Sequence, residues 1–283
     1  MRLLSGLLFS LLMSGVLNAQ TVSIPGKPTE DKLPINMLKA ALKYIDLEAN
    51  FPYEASDSGD ISFTRIAQDI NNGQLDIFWS MTSKEMEKDF IPIYIPIYRG
   101  LLGMRIPIVT QKNKNLFDNI DSLTQLSNYK AGSGTFWPDT EIMKSNGMKV
   151  VTTLKYQNLF PMLEGGRFDY FPRGLHEPWQ EVLNVPELNL TVEENVLIRY
   201  TAPNYFFVAK NNPKLAKKLK EAFDYMIEYG KFSQLFFADK EVQSALNKAN
   251  IKNRKIFDIQ NPHLSAATPL NRKELWFDPI RGQ

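Results

Sequence analysis

One phrase occurs twice in this chain and constrains its fold more than any other feature. Asn72-Gly73-Gln74-Leu75-Asp76-Ile77-Phe78 closes a segment with helical spacing and runs into an apolar stretch. Gly165-Gly166-Arg167-Phe168-Asp169-Tyr170-Phe171 does the same much later. In each, glycine ends a helix and an aspartate flanked by apolar residues opens a strand. Recurrence at matching places predicts two similar α/β halves, with two unrelated βαβ units as the alternative. A chain of 283 residues has room for two lobes of ordinary size.

The rest of the chain fits that rhythm. Residues 33–43 have helical spacing, with Pro34 in the first turn, and 44–48 read as a strand. The polar segment 54–60 is a loop, Ile61–Ile70 a helix and Leu75–Trp79 a buried strand. Tyr98–Thr110 is strand-like and crosses between the halves. Residues 120–126 form a short helix, Lys130–Gly134 opens a turn, and 149–151 and 167–171 are strands with a helix at 158–164. Asn204–Lys210 returns across the halves. Pro213 starts a long amphipathic helix closed by Gly230, and Phe232–Phe237 forms another. From Ala238 the sequence is mixed and polar, and Leu264, Leu270, Leu275, Trp276 and Phe277 predict a strap lying on a lobe.

Arg2, the apolar run Leu3–Met13 and Leu17-Asn18-Ala19 have the form of a cleaved signal peptide, with the cut expected after Ala19; an uncleaved anchor is the alternative. There is no cysteine, which excludes disulfides, thiol catalysis and thiolate metal sites. Only His176 and His263 could supply imidazole, far apart in sequence, so no metal is expected. The net charge of +2 is not a nucleic-acid footprint. No cofactor motif is present: the glycine turn at 132–134 lacks the Gly-Lys-Ser/Thr of a phosphate loop.

The pattern resembles the type 2 periplasmic binding proteins, specifically the extracellular solute-binding family 3 group that serves amino-acid importers. Residues 72–76, Ser80-Met81-Thr82-Ser83-Lys84-Glu85, Ile95-Pro96-Ile97-Tyr98, Gly132-Ser133-Gly134-Thr135, 166–169 and Gly230-Lys231-Phe232 carry the resemblance, over roughly 33–237. A tighter resemblance, to a proteobacterial branch of that group, lies in Trp79–Thr82, Trp137–Glu141, Phe168–Gly174 and Leu270–Trp276; it implies fold and location but no ligand. The resemblance implies a two-lobed α/β fold, each lobe a mostly parallel sheet flanked by helices, with two hinge crossovers. Lobe 1 would comprise 20–106 and 203–283, including a strap at 238–283, and lobe 2 would comprise 107–202. Hinges are expected near Arg105–Ile108 and Thr201–Tyr205.

Ligands of open α/β sheets sit beyond the C-terminal ends of strands. Three such places are expected to bind. The first is Trp79-Ser80-Met81-Thr82, where hydroxyls and backbone N–H groups follow a strand; alternatively, Ser80 and Thr82 cap the next helix, with Glu85 closing a box on Thr82. The second is Ser133-Gly134-Thr135 with Trp137, where glycines admit a close approach, the next helix offers N–H groups, and Phe136 or Trp137 stacks on a ligand or fills the core. The third is Arg173, His176 and Glu177, where a guanidinium fork past a strand end could clamp a carboxylate or instead form a surface or interlobe ion pair. The resemblance also implies an arginine in the helix after the first turn and an acid after the second-lobe strand. Met86 and Gly174 stand there instead, which favours an anionic ligand over a zwitterion or cation.

The expected function is that of a periplasmic, monomeric receptor closing on a small anionic organic ligand for an ABC importer or a membrane sensor. The alternatives are a lyase- or dehydratase-like enzyme using His176 with Glu177 or Asp139, and a ligand-free partner whose cleft is filled by Trp137 and Phe136.

Overall fold

The computed structural model describes residues 20–53 and 63–282. The expected signal peptide, its cut after Ala19 and the 54–60 loop lie outside the described residues, as do the first two residues of the 61–70 helix.

The chain starts with β1 (Gln20–Ser23), α1 (Leu33–Tyr44), β2 (Leu47–Asn50), α2 (Phe63–Asn71), β3 (Ile77–Met81), α3 (Lys84–Asp89) and β4 (Phe90–Ile93). It then runs through β5 (Met104–Thr110), α4 (Leu123–Leu126), β6 (Lys130–Gly134), α5 (Pro138–Ser145), β7 (Lys149–Thr153), α6 (Leu159–Glu164), β8 (Phe171–Gly174), α7 (Pro178–Leu183), β9 (Leu190–Val192) and β10 (Val196–Arg199). It returns through β11 (Asn204–Ala209), α8 (Pro213–Glu228), α9 (Lys231–Ala238), α10 (Lys240–Lys248) and β12 (Lys255–Asp258).

Two lobes result. In the first, β11 lies between β3 and β4, and β1 pairs with β2. In the second, the order β12-β10-β5-β8 carries β9 beside β5, and a bridge from Ala131 to Tyr170 joins the parallel pair β6-β7. Every antiparallel pair of named strands involves β5 or β11, the two strands that enter a sheet from the opposite lobe. The other pairs, β1-β2, β6-β7 and β10-β12, are parallel.

The repeated phrase does one job in both lobes. Asp76 accepts the Ser23 amide at 2.8 Å and returns its own amide to the Ser23 carbonyl at 2.8 Å, tying β3 to β1. Asp169 accepts the Lys130 amide at 2.6 Å and returns its amide to the Lys130 carbonyl at 2.8 Å, tying the approach to β8 to β6. Gly73 and Gly166, which precede them, have φ of 78° and 68°, the left-handed conformation that glycine adopts freely. Strand formation begins later than the apolar runs do. Gln74 and Leu75 still bond to the Asp69 carbonyl, so β3 starts at 77; Arg167 still bonds to Met162, so β8 starts at 171. At β2 the delay comes from Asp46, whose φ of 54° turns the chain before Leu47.

Arg105–Ile108, expected at a hinge, are interior residues of β5. Gly103 and Tyr200 meet there: the Tyr200 amide bonds to the Gly103 carbonyl at 2.9 Å, and a Cβ at Gly103 would lie 1.9 Å from the Tyr200 carbonyl oxygen. The segment after Ala238 is more ordered than its composition predicts. Asp239 caps α10 through the Val242 amide, and β12 joins β10 in the second sheet rather than lying on the first lobe. The chain then returns to the first lobe, where the Phe277 amide bonds to the Arg99 carbonyl and Trp276 covers Gly100.

Candidate functional site at the strand ends of the second lobe

Antiparallel pairing sets Arg105, near the start of β5, opposite Gly174, at the end of β8. The ends of β6 and β8 therefore converge on the hinge end of β5, the position where open α/β sheets hold ligands. A buried ionic cluster occupies it. The Arg105 guanidinium is 3% exposed and places Nη2 2.5 Å from Asp139 Oδ1, which also accepts the Tyr200 hydroxyl. Arg105 Nη1 stands 3.7 Å from Glu177 Oε2, and Arg105 Nε has no hydrogen-bond partner among the described residues.

Arg173 lies beside it, tied down on both sides. Its Nε and Nη2 grip Glu181 at 2.7 Å each, and Nη2 also reaches Glu177 Oε2 at 3.1 Å. The Tyr156 hydroxyl donates to the same Glu181 carboxylate at 2.6 Å. The rings of Trp137, Tyr156 and Phe171 pack around the guanidinium, with centroids 4.8 to 5.4 Å away. Of the two roles expected for Arg173, clamp or ion pair, the ion pair is the one formed in this structure, with Glu181 and Glu177. Buried charges persist only when paired, and here the pairing comes from α7.

Glu177 folds back from the start of α7. Its Oε2 accepts the Gly174 amide at 2.6 Å. Burial works to raise its carboxyl, but Arg173, His176, Arg105 and that amide outweigh it and hold it at about 2. His176 lies within reach of the same charges. It is 6% exposed, its ring stacks on Tyr98 at 3.9 Å, and burial lowers it to about 4, with Arg105 and Arg173 adding to the effect against Glu177. It lines a cavity of about 100 Å³ between α7 and α10 together with Trp179, Gln180, Leu183, Lys240, Glu241, Ser244 and Lys248.

The other expected positions divide. Ser133 is 1% exposed beneath α5, within 2.8 Å of the Thr140 hydroxyl, and Gly134 is buried under Trp137, whose ring a Cβ would meet at 2.6 Å. Thr135 and Phe136 are exposed, Phe136 at 75%, so Phe136 does not fill the crevice. The N-terminus of α5 carries Asp139 and Glu141 in its first turn, which offsets its attraction for an anion. In the first lobe, Trp79 packs edge-on against Phe206 and belongs to the core side of β3. Ser80 is half-buried at the strand end. Met81 packs in one cluster with Leu102, Tyr200 and Ala202, which brings this turn to the hinge. Thr82 donates to Glu87 at 2.7 Å, and Ser83 rather than Thr82 caps α3 through the Met86 amide. Met86 is buried in an apolar cluster.

Sequence reasoning missed Arg105, Tyr200 and Glu181. The partners of Arg173 were readable, since Glu177 and Glu181 follow it at successive helical turns. Arg105 and Tyr200 come together only through strand pairing, which leaves no local signal. Among the described residues, no group of three His, Cys, Asp or Glu side chains is placed to hold a metal ion, and no helix is long and apolar enough to cross a membrane.

Neither a protein-family model nor a curated protein matches the sequence. Solved structures do match its fold. An ancestral arginine-binding protein bound to arginine superposes with a TM-score of 0.56 at 18% identity, over 78% of this chain and 98% of its own. An arginine transport-system periplasmic binding protein from Legionella pneumophila gives 0.57 at 13%, over 78% and 99%. An ancestral amino-acid-binding protein described as a precursor of cyclohexadienyl dehydratase gives 0.54 at 15%, over 77% and 95%. At these identities the likeness establishes the architecture: this is the two-lobed fold of the periplasmic binding proteins.

Proposed function

We propose that this chain is a solute-binding protein that closes two lobes on a small organic ligand bearing a carboxylate and passes it to an ABC importer or a membrane sensor. The observation that carries this reading is the convergence at the hinge. Met81, ending β3 of the first lobe, belongs to the same apolar cluster as Tyr200, and Tyr200 bonds to the Asp139 that pairs with Arg105 of the second lobe. Strand ends of both lobes thus frame one crevice, and a molecule filling it would contact both and favour closure.

The carboxylate replaces the wider expectation of an anion. Arginine and glutamine, named for structural neighbours, both carry one, and the crevice has buried guanidinium groups, while the pairing of Arg173 with Glu181 gives no reason to demand net negative charge. The lobe assignment follows the connections, with 20–103 and most of 204–283 in the first lobe and 104–200 with β12 in the second. The N-terminal pattern supports a periplasmic location, and the chain is taken to act as a monomer.

A ligand-free role has one observation in its favour, the extent to which Glu177 and Glu181 satisfy the crevice arginines. The enzyme reading has the fold likeness to a precursor of cyclohexadienyl dehydratase, and against it stands the buried His176 ring, stacked on Tyr98. Native mass spectrometry of protein purified from periplasm tests the proposal. A retained small carboxylic acid, with a more compact scattering profile when it is added back, is the expected result. Protein that carries and binds no small molecule, with an unchanged profile, would leave the ligand-free role.

A further inference from the structure

One carboxylate oxygen of the buried cluster lies among three donors. Three donors converge at the end of β8: the Gly174 amide at 2.6 Å, Arg173 Nη2 at 3.1 Å and Arg105 Nη1 at 3.7 Å, all directed at one oxygen, Glu177 Oε2. Gly174 lacks the side chain that would block this space, since a Cβ there would lie 3.0 Å from Glu177 Oε2 and 3.0 Å from Leu102 Cδ1. Arg173 is oriented by Glu181 whatever Glu177 does, so the receptor does not depend on its present occupant.

The occupant fits poorly. At 3.7 Å, Arg105 Nη1 is beyond hydrogen-bonding distance, and Arg105 Nε, on a side chain only 3% exposed, has no partner among the described residues. A buried guanidinium left short of acceptors favours any carboxylate that can approach closer. Glu177 is also the most exposed member of the cluster, with a side chain 23% exposed against 3% for Arg105, 8% for Arg173 and 11% for Glu181. Its Oε2 alone takes the two close contacts, from Gly174 and Arg173, and faces Arg105 at 3.7 Å. Charge does not oppose an exchange, because an incoming carboxylate would replace the same single negative charge beside Arg105 and Arg173.

We propose that Gly174 N–H, Arg173 and Arg105 form the carboxylate subsite of this crevice, and that Glu177 occupies it as an internal competitor until a ligand carboxylate displaces it. This rests on the solute-binding reading and adds a threshold to it. An occupant bound about nine-tenths of the time weakens ligand binding about tenfold, since apparent affinity scales with the competent fraction.

The test uses the full mature chain at neutral pH with acetate as the probe, followed through the Gly174 amide and the Glu177 side-chain carboxyl by NMR. Glu177→Ala should bind acetate at least about tenfold more tightly than the wild type, and Glu177→Gln, which keeps the shape without the charge, should show a smaller gain. In the wild type, saturating acetate should release Glu177, so that its carboxyl signal moves to that of a solvent-exposed glutamate while the Gly174 amide stays hydrogen-bonded. Equal acetate affinity in all three proteins, with the Glu177 signal unmoved, would overturn the proposal. Scattering on the same samples separates the two readings. A gain of that size without lobe closure keeps the subsite and counts against the solute-binding role; closure without any gain does the reverse.

Discussion

Asp169 and Lys130 exchange a reciprocal pair of bonds, carboxylate to amide at 2.6 Å and amide to carbonyl at 2.8 Å, and Asp76 and Ser23 repeat that exchange in the other lobe. Each aspartate lies just before a strand that reaches the crevice, so each fixes how one strand end is aimed. A carboxylate accepting a backbone amide contributes about 1.5–3 kcal/mol when sheltered, less when half-buried as here. Asp169→Ala and Asp76→Ala should therefore each lower stability by about 1–2 kcal/mol in urea titrations. Similar losses would follow from the shared geometry; a loss at one site alone would show that the repeat is not equivalent in the two lobes.

The repeated phrase was legible because its cause is local: a glycine in the left-handed region, an aspartate within reach of the next strand, and apolar residues around it. The helices at 33–44 and 213–228 were legible for the same reason, since the spacing of Leu38, Leu42, Leu219, Phe223 and Met226 is the core-facing stripe itself. The strand limits were not, because apolar runs show burial and not where helix-closing bonds give way to ladder bonds. Helix α10 had a signal that composition concealed: Asp239 at the cap, then Val242, Ala245 and Ala249 on one face, all buried. Strand β12 had no such signal, since its strand character comes from pairing with β10. At the site, the sequence places Arg173 at a strand end but does not identify its partner, which depends on which face of α7 turns inward.

Gly103 tests the connection between lobes. A Cβ at this position would fall 1.9 Å from the Tyr200 carbonyl oxygen and 3.1 Å from the Ala202 nitrogen, backbone atoms that cannot rotate away. Gly103→Ala should cost about 3 kcal/mol or more through backbone displacement, in the upper range for overpacking. It should also change the distribution of interlobe distances measured by spin labels. Gly73→Ala, with open space around it but a φ of 78°, should cost about 1 kcal/mol and leave those distances unchanged.

Acid behaviour should show two opposing effects from one cavity. Burial, with Asp239, Glu177 and Glu181 against Lys32, raises Glu241 from 4.5 to about 6. The folded state then binds the extra proton, and Glu241 removes stability as pH rises from about 4.5 to 6. His176 is lowered from 6.5 to about 4, so the unfolded state binds the extra proton and stability is gained as pH rises through that window. The two offset each other between about pH 4.5 and 6, and the wild-type melting temperature should be nearly level there. Glu241→Gln should expose the histidine slope, rising toward about pH 6.5, and raise stability at about pH 7.5 by about 1–2 kcal/mol. A level profile in the variant would contradict the assignment. Below about pH 4.5, loss of the Glu177 charge, held at about 2, should destabilise wild type and variant alike.

Arg99 anchors the returning tail. It has a φ of 49°, is 8% exposed, lies near the rings of Phe236, Phe237 and Phe277, and donates from Nη2 to the Glu274 carbonyl at 3.0 Å. Arg99→Ala should speed hydrogen exchange and proteolysis across 270–282 while leaving the amides of α8 protected. Faster exchange throughout both lobes would mean that the tail is part of the main cooperative unit.

The pairing of Arg173 with Glu181 separates an ion pair that stabilises from one that merely avoids a penalty. Both side chains are largely buried, and removing one partner of such a pair costs about 3–5 kcal/mol because the other charge is left uncompensated. Glu181→Ala should reach that range despite the remaining contact with Glu177, since it also deprives the Tyr156 hydroxyl of its acceptor. Arg173→Met in the same chain should recover much of the loss by removing the stranded guanidinium and leaving an apolar chain among Trp137, Phe171 and Tyr156. Recovery would be incomplete by about 1 kcal/mol for the unsatisfied hydroxyl. If the double variant were instead the sum of the two single losses, the pair would contribute nothing as a pair, and the box of rings would be held by packing alone.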